Sequence, residues 1–328
     1  MPRASGDCPY NRVRTISGFM GMRQPDQRPA ATQLPCWLKA LSRLPWGILY
    51  ACTAGLAWIA YRVLRYRVGV VRSNIAGSFP ELSAPERRAI ERDYYARLGE
   101  LVAEVVKSAT ITAAELEQRV QVRNYGAVRD ELDAGRSVLI VGAHQCNWEW
   151  MLLALSLQLG ARLEAAYKPL HAAGAERVMR ALRTRFGGAL IPAKDLLASL
   201  LRTRKAVRAV AMVADQEPVT SDYKWWTQFL HRPTAFYMGP EKIAQVTRYA
   251  VVFVAVRRLA RGRYEISFER LAAPRAPLEP GDLTERYARL VEAQIRASPA
   301  DWMWSHRRWK LKRPMYAGAA QLDAGRAQ

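Results

Sequence analysis

Histidine is scarce in this chain: His144, His171, His231 and His306 are the four in 328 residues. Cysteine is as rare, and Cys8, Cys36, Cys52 and Cys146 stand apart with no C-x-x-C pair. That spacing excludes a secreted disulfide framework and fits a reducing compartment. With so few, separated ligands, no protein-bound zinc site is expected and no metal is assigned. An H-E-x-x-H pair, a G-x-S-x-G elbow, a P-loop and a G-x-G-x-x-G turn are all missing, so their chemistries have no anchor in the sequence. No internal repeat and no long linker divides the chain. Acidic residues are few, 29 against 50 basic ones, for a formal charge of +21. Such an excess calls for a negative partner, nucleic acid or an anionic membrane, and charge alone does not choose.

Apolar residues are plentiful, at 50% of the chain, enough to fill a large core. Residues 44–61, "LPWGILYACTAGLAWIAY", carry no charge and barely reach the about 17 to 25 residues a spanning helix needs. Trp46, Tyr50, Trp58 and Tyr61 suit a membrane interface, and the basic "YRVLRYRVGVVR" follows at once. Residues 37–62 are therefore expected to be a membrane anchor, crossing or lying in the interface, with a buried core helix as the plain alternative. Residues 1–36 and 316–328 are expected to be disordered, leaving 63–315 as the main folded domain.

Short apolar runs then alternate with helical stretches, which predicts an α/β fold: a central, mostly parallel or mixed sheet flanked by helices. "SVLIVGA" is a strand, "NWEWMLLALSLQLG" a helix, "RLEAAYK" a strand, and "AVRAVAMVA" a buried strand ending at Asp215. "AVVFVAVRRL" and "GRYEISFERL" read as an antiparallel pair around Gly262. Trp148 and Trp150 are expected to pack as core, and Trp225 and Trp226 to stand in a polar loop.

In open α/β sheets reactive groups gather beyond the carboxyl ends of the strands. His144 and Asp215 each follow a strand, so both are expected at one crevice. His144 and Glu149 form H-x-x-x-x-E; with Asn147 as helix N-cap, Glu149 falls in the first turn and His144 on the preceding loop. A carboxylate there can fix the imidazole tautomer and leave the other nitrogen to take a proton. The plain alternatives are a structural histidine and a helix-capping glutamate.

"HQCNWE" resembles the H-x-x-x-x-D/E motif of the bacterial lipid A biosynthesis acyltransferases, members of the lysophospholipid acyltransferase-like superfamily. The resemblance runs over roughly residues 40 to 312 and takes in "YKPL", "RTRFGGALIP", "VADQEP" and "WMWSHRRWK". It implies that His144 deprotonates an acceptor hydroxyl, that Glu149 orients His144, and that the hydroxyl attacks an acyl thioester. It makes Arg185 a candidate for the oxyanion and gives Asp215 and Gln216 the part of shaping the site. Lys168, Asn147, Arg307 and Arg308 are further candidates for substrate contact. The implied donor is acyl carrier protein or acyl-CoA, and the implied acceptor a glycolipid, most readily a lipid A precursor. The implied location is an anionic inner membrane with the catalytic domain on its cytoplasmic side; no cofactor and no nucleic acid is implied.

The two tryptophans after "DQEP" depart from the glycine-rich stretch more usual there and leave acyl length and acceptor open. Trp302, Trp304 and Trp309, among basic residues, read as an interfacial patch or as a stacking surface for nucleic acid. His231 and His306 are expected to be structural or headgroup contacts, and His171 has no evident partner. Two other readings stand beside the first: transfer to another lysolipid, aminolipid or pigment alcohol, and a basic membrane- or nucleic-acid-binding protein with no activity.

Overall fold

Strand β2 (Val138–Gly142) is buried along its whole length and forms the middle of a seven-stranded sheet. The computed structural model describes residues 34–219 and 223–312. The expected terminal extensions, 1–36 and 316–328, lie outside them except for residues 34–36, and Cys36 already opens a helix.

In chain order the helices are α1 (Cys36–Ser42), α2 (Trp46–Trp58), α3 (Val68–Ser78), α4 (Ala84–Lys107), α5 (Ala113–Arg119) and α6 (Gly126–Asp133). They continue with α7 (Trp148–Leu159), α8 (Ala173–Arg183), α9 (Leu196–Arg202), α10 (Gly239–Thr247) and α11 (Asp282–Ala297). The other strands are β1 (Val120–Val122), β3 (Leu163–Tyr167), β4 (Ala189–Pro192), β5 (Ala209–Val213), β6 (Lys224–Phe229), β7 (Arg232–Tyr237), β8 (Ala250–Ala260) and β9 (Arg263–Ala272).

The large sheet runs β1-β9-β8-β2-β5-β3-β4, parallel throughout except for the β8–β9 hairpin. This is the expected mixed α/β sheet. Alternation along β2 feeds both faces: Leu139 and Val141 join the core under α10 and α11, while Val138 and Ile140 join the core under α7. Gly262, at φ +64°, makes the hairpin turn where a side chain would be strained.

Trp225 and Trp226 are a correction to the sequence reading. They lie in β6, which pairs antiparallel with β7, and Trp226 turns inward while Trp225 donates to Glu285 on α11. Of the polar neighbours that suggested a loop, Thr227 and Gln228 belong to β6 itself, and Gln228 is exposed. His231 sits in the β6–β7 turn at φ +62°, within 3.4 Å of Glu81.

Helix α2 continues through a π-helical turn, Ile59–Val63, and α1 meets it at a 109° bend. Among the described residues no single helix is long and apolar enough to cross a membrane; the bent pair meets the length and composition together. One side of α2 is buried at Leu49 and Thr53, and Leu56, Trp58 and Val63 are exposed by more than 60%. Gly99 on α4 permits this seating, since a Cβ there would lie 2.9 Å from the Ala57 methyl and 3.0 Å from the Thr53 carbonyl oxygen. Gly99→Val is expected to lower stability by about 1–3 kcal/mol through overpacking, read as a lower urea midpoint at unchanged m-value.

Candidate active site

The sheet register brings the two strand-end residues together. Gly142 on β2 pairs with Val213 on β5, and two residues further on His144 faces Asp215. Nδ1 of His144 lies 2.7 Å from one Asp215 oxygen, and the His144 main-chain N–H donates to the other at 3.1 Å. That second oxygen also accepts from the Trp302 indole N–H at 2.8 Å. The carboxylate is buried and the imidazole is 17% exposed, so the pair reaches solvent through the ring. With Nδ1 donating to Asp215, Nε2 is left as the acceptor, and the Gln216 amide nitrogen stands 3.4 Å from it.

Electrostatics follow from this geometry. Burial acts against a charged His144, yet the Asp215 charge and hydrogen bond outweigh it and raise the imidazole above its ordinary value; Glu149 adds to the rise. Burial likewise pushes the Asp215 carboxyl upward, but His144, Trp302 and the backbone donor together lower it to about 2.

The loop between β2 and α7 turns at Cys146 before the helix starts. Cys146 takes φ +52°, and its N–H donates to the Asp301 carbonyl at 2.8 Å. Asn147 caps α7, its side-chain oxygen accepting from the Trp150 N–H at 2.9 Å. It is buried, and its side chain holds the start of the helix. Trp150 is core, as expected, and Trp148 is half-buried, its ring edge-to-face with His144 at 5.2 Å between centroids.

The carboxylate that touches His144 is Asp215, and this corrects the expectation that Glu149 would orient the ring. Glu149 is held instead by Arg183 in a bidentate pair at 2.8 and 2.5 Å and accepts from the Trp148 indole at 3.1 Å. Arg183 closes α8 and is the first residue of the "RTRFGG" stretch in which Arg185 was the candidate. Its signal was a basic residue in the last turn of a helix that the fold lays beside α7. Arg185 donates through Nη1 to the carbonyls of Ser108 and Ile111, clasping the segment after α4. Lys168, just past β3, and Arg307 are exposed.

The terminal tryptophans are a second correction. Trp302 and Trp304 are buried, and Trp309 packs half-buried against the same core. They form the back wall of the site, with Met303 N–H donating to the His144 carbonyl and Gln145 bridging to Trp302. Arg308 is buried with Nε and Nη1 unpartnered among the described residues, and burial pushes its guanidinium down to about 10. Beside it, burial and the Arg308 charge push His306 down to about 4. Among the described residues no group of three or more His, Cys, Asp or Glu is placed to hold a metal ion.

An open α/β sheet with a histidine–aspartate pair beyond its strand ends is an enzyme architecture. A family model described as bacterial lipid A biosynthesis acyltransferase matches residues 35–311, and the chain belongs to that family. The protein is an acyltransferase. Among its relatives is a lipid A biosynthesis lauroyltransferase of Escherichia coli (strain K12), 23% identical over 84% of this chain and 89% of that one. Another is a lipid A biosynthesis palmitoleoyltransferase of the same organism, 23% identical over 82% of this chain and 87% of its own. A lipid A biosynthesis acyltransferase of Shigella flexneri is similar to the same degree.

Proposed function

We propose that the protein moves a fatty acyl chain from a thioester of acyl carrier protein or coenzyme A to a hydroxyl of a lipid A precursor, with His144 as general base. The observation that carries this reading is the 2.7 Å contact between His144 Nδ1 and buried Asp215, with Nε2 turned outward. Nε2 takes the hydroxyl proton as its oxygen attacks the thioester carbonyl, and Asp215 stabilises the imidazolium that forms. The tetrahedral intermediate collapses to the ester, and the departing thiolate receives the proton from Nε2. Gln216, beside Nε2, orients the acceptor hydroxyl. Glu149, within electrostatic reach of the ring, favours its protonated form and anchors Arg183 at the site. Lys168 and Arg307, both exposed, meet acceptor phosphates.

The bent α1–α2 pair, with its exposed apolar side and the basic segment that follows, supports anchoring in an anionic inner membrane with the catalytic domain on the cytoplasmic side. The test of the acceptor is mass spectrometry of lipids from a strain lacking this gene. The expected result is lipid A short of one acyl chain, restored by the wild-type gene and not by His144→Ala. Unchanged lipid A alongside loss of another acylated lipid would reject this acceptor.

A further inference from the structure

Behind the catalytic turn lies a buried carboxylate that the proposed chemistry does not use. Glu104, in the last turns of α4, is fully buried and accepts from three neutral donors. The Asn147 amide nitrogen reaches its Oε2 at 2.6 Å, the Tyr264 hydroxyl the same oxygen at 2.8 Å, and the Tyr50 hydroxyl its Oε1 at 3.0 Å. Its main-chain carbonyl accepts from the Trp150 indole at 3.1 Å. An ionisable group in such a place is costly unless its hydrogen bonds are made, and each of these donors needs an acceptor in turn.

The Asn147 amide is thereby locked at both ends. Its oxygen caps α7 on the Trp150 N–H and its nitrogen is held by Glu104, so a flip forfeits both bonds. Three residues earlier stands His144, joined to Asn147 through Cys146 in its left-handed conformation. A backbone held in that region persists only when its surroundings over-determine it, and Asn147 is the fixed end of the turn.

We infer that Glu104 is a positioning residue for acyl transfer: by holding the Asn147 amide it fixes the turn that presents His144 to Asp215. Tyr50 belongs to α2, so the helix read as membrane-seated contributes a donor to the same carboxylate. This inference rests on the proposed function, in which His144 is the base.

The test reverses the donor and acceptor. In Asn147→Asp the cap on Trp150 is retained, but two carboxylates meet where an amide met one. Because a displacement of about 1 Å at a reacting group costs about 100-fold, kcat is expected to fall by about that factor at unchanged KM. Adding Glu104→Gln supplies an amide donor to the introduced carboxylate, and the double variant is expected to recover at least about 10-fold over Asn147→Asp alone. With only four histidines in the chain, ring ¹⁵N NMR follows His144 independently of turnover. Its Nδ1 signal should shift in Asn147→Asp and return in the double variant. A wild-type His144 signal in Asn147→Asp, or no recovery in a folded double variant, would overturn the inference. Absence of acyl transfer by the wild-type protein would instead overturn the function on which it rests.

Discussion

Asp215→Asn is expected to lower acyl transfer by about 10³–10⁴-fold while the protein stays folded. The asparagine side chain fills the same space, and its oxygen can still accept one of the bonds now made by Asp215. What disappears is the negative charge that raises His144 and compensates the imidazolium. The amide also presents N–H where Nδ1–H needs an acceptor, favouring the tautomer with its proton on Nε2, which cannot take one from a hydroxyl. A steady-state assay with acyl carrier protein thioester checks this, with circular dichroism alongside. Loss of less than about 10-fold would remove Asp215 from the mechanism.

His144→Ala is expected to abolish transfer to the level of positioning alone, a loss of at least about 10³-fold. No other group described at the site can replace it. His306 faces the same region, but burial and Arg308 depress it to about 4 and leave it a weak base. His231 is engaged in the β6–β7 turn. Membrane association should be unchanged, because α1 and α2 carry the exposed apolar side and the hydrogen bonds of His144 run to Asp215 instead. Flotation with vesicles and acyl transfer, measured on one preparation, separate the two properties.

Much of this site was legible in the sequence because strand ends are. The apolar runs before His144 and Asp215 mark them as residues just beyond buried strands, and the α/β pattern places such residues at one edge. Which carboxylate meets the imidazole was not legible. Glu149 is five residues from His144 and Asp215 is 71, yet β5 inserts between β2 and β3, and the Gly142–Val213 register makes the distant residue the neighbour. Strand order is a property of the whole sheet, which local spacing does not record.

The tryptophans misled for a related reason. An aromatic-basic alternation looks the same whether its rings face lipid or core, and Trp302 is drawn inside by the buried Asp215 oxygen that accepts its indole N–H. Glu104 carried no local signal at all. It sits among the charges of an amphipathic helix, and only the packing of α2, α7 and β9 around α4 supplies its three donors.

The pH dependence of kcat/KM for wild type and Asp215→Asn tests the central claim most directly. Nε2 must be unprotonated to act as base, and Asp215 raises the imidazole, so the wild-type rate should climb with pH through a limb above the ordinary histidine value of about 6.5. In Asp215→Asn the residual rate should show that limb moved to lower pH, since the charge that favours the imidazolium is gone. A limb at the same pH in both proteins would contradict the pairing of His144 with Asp215 as the base of this acyltransferase.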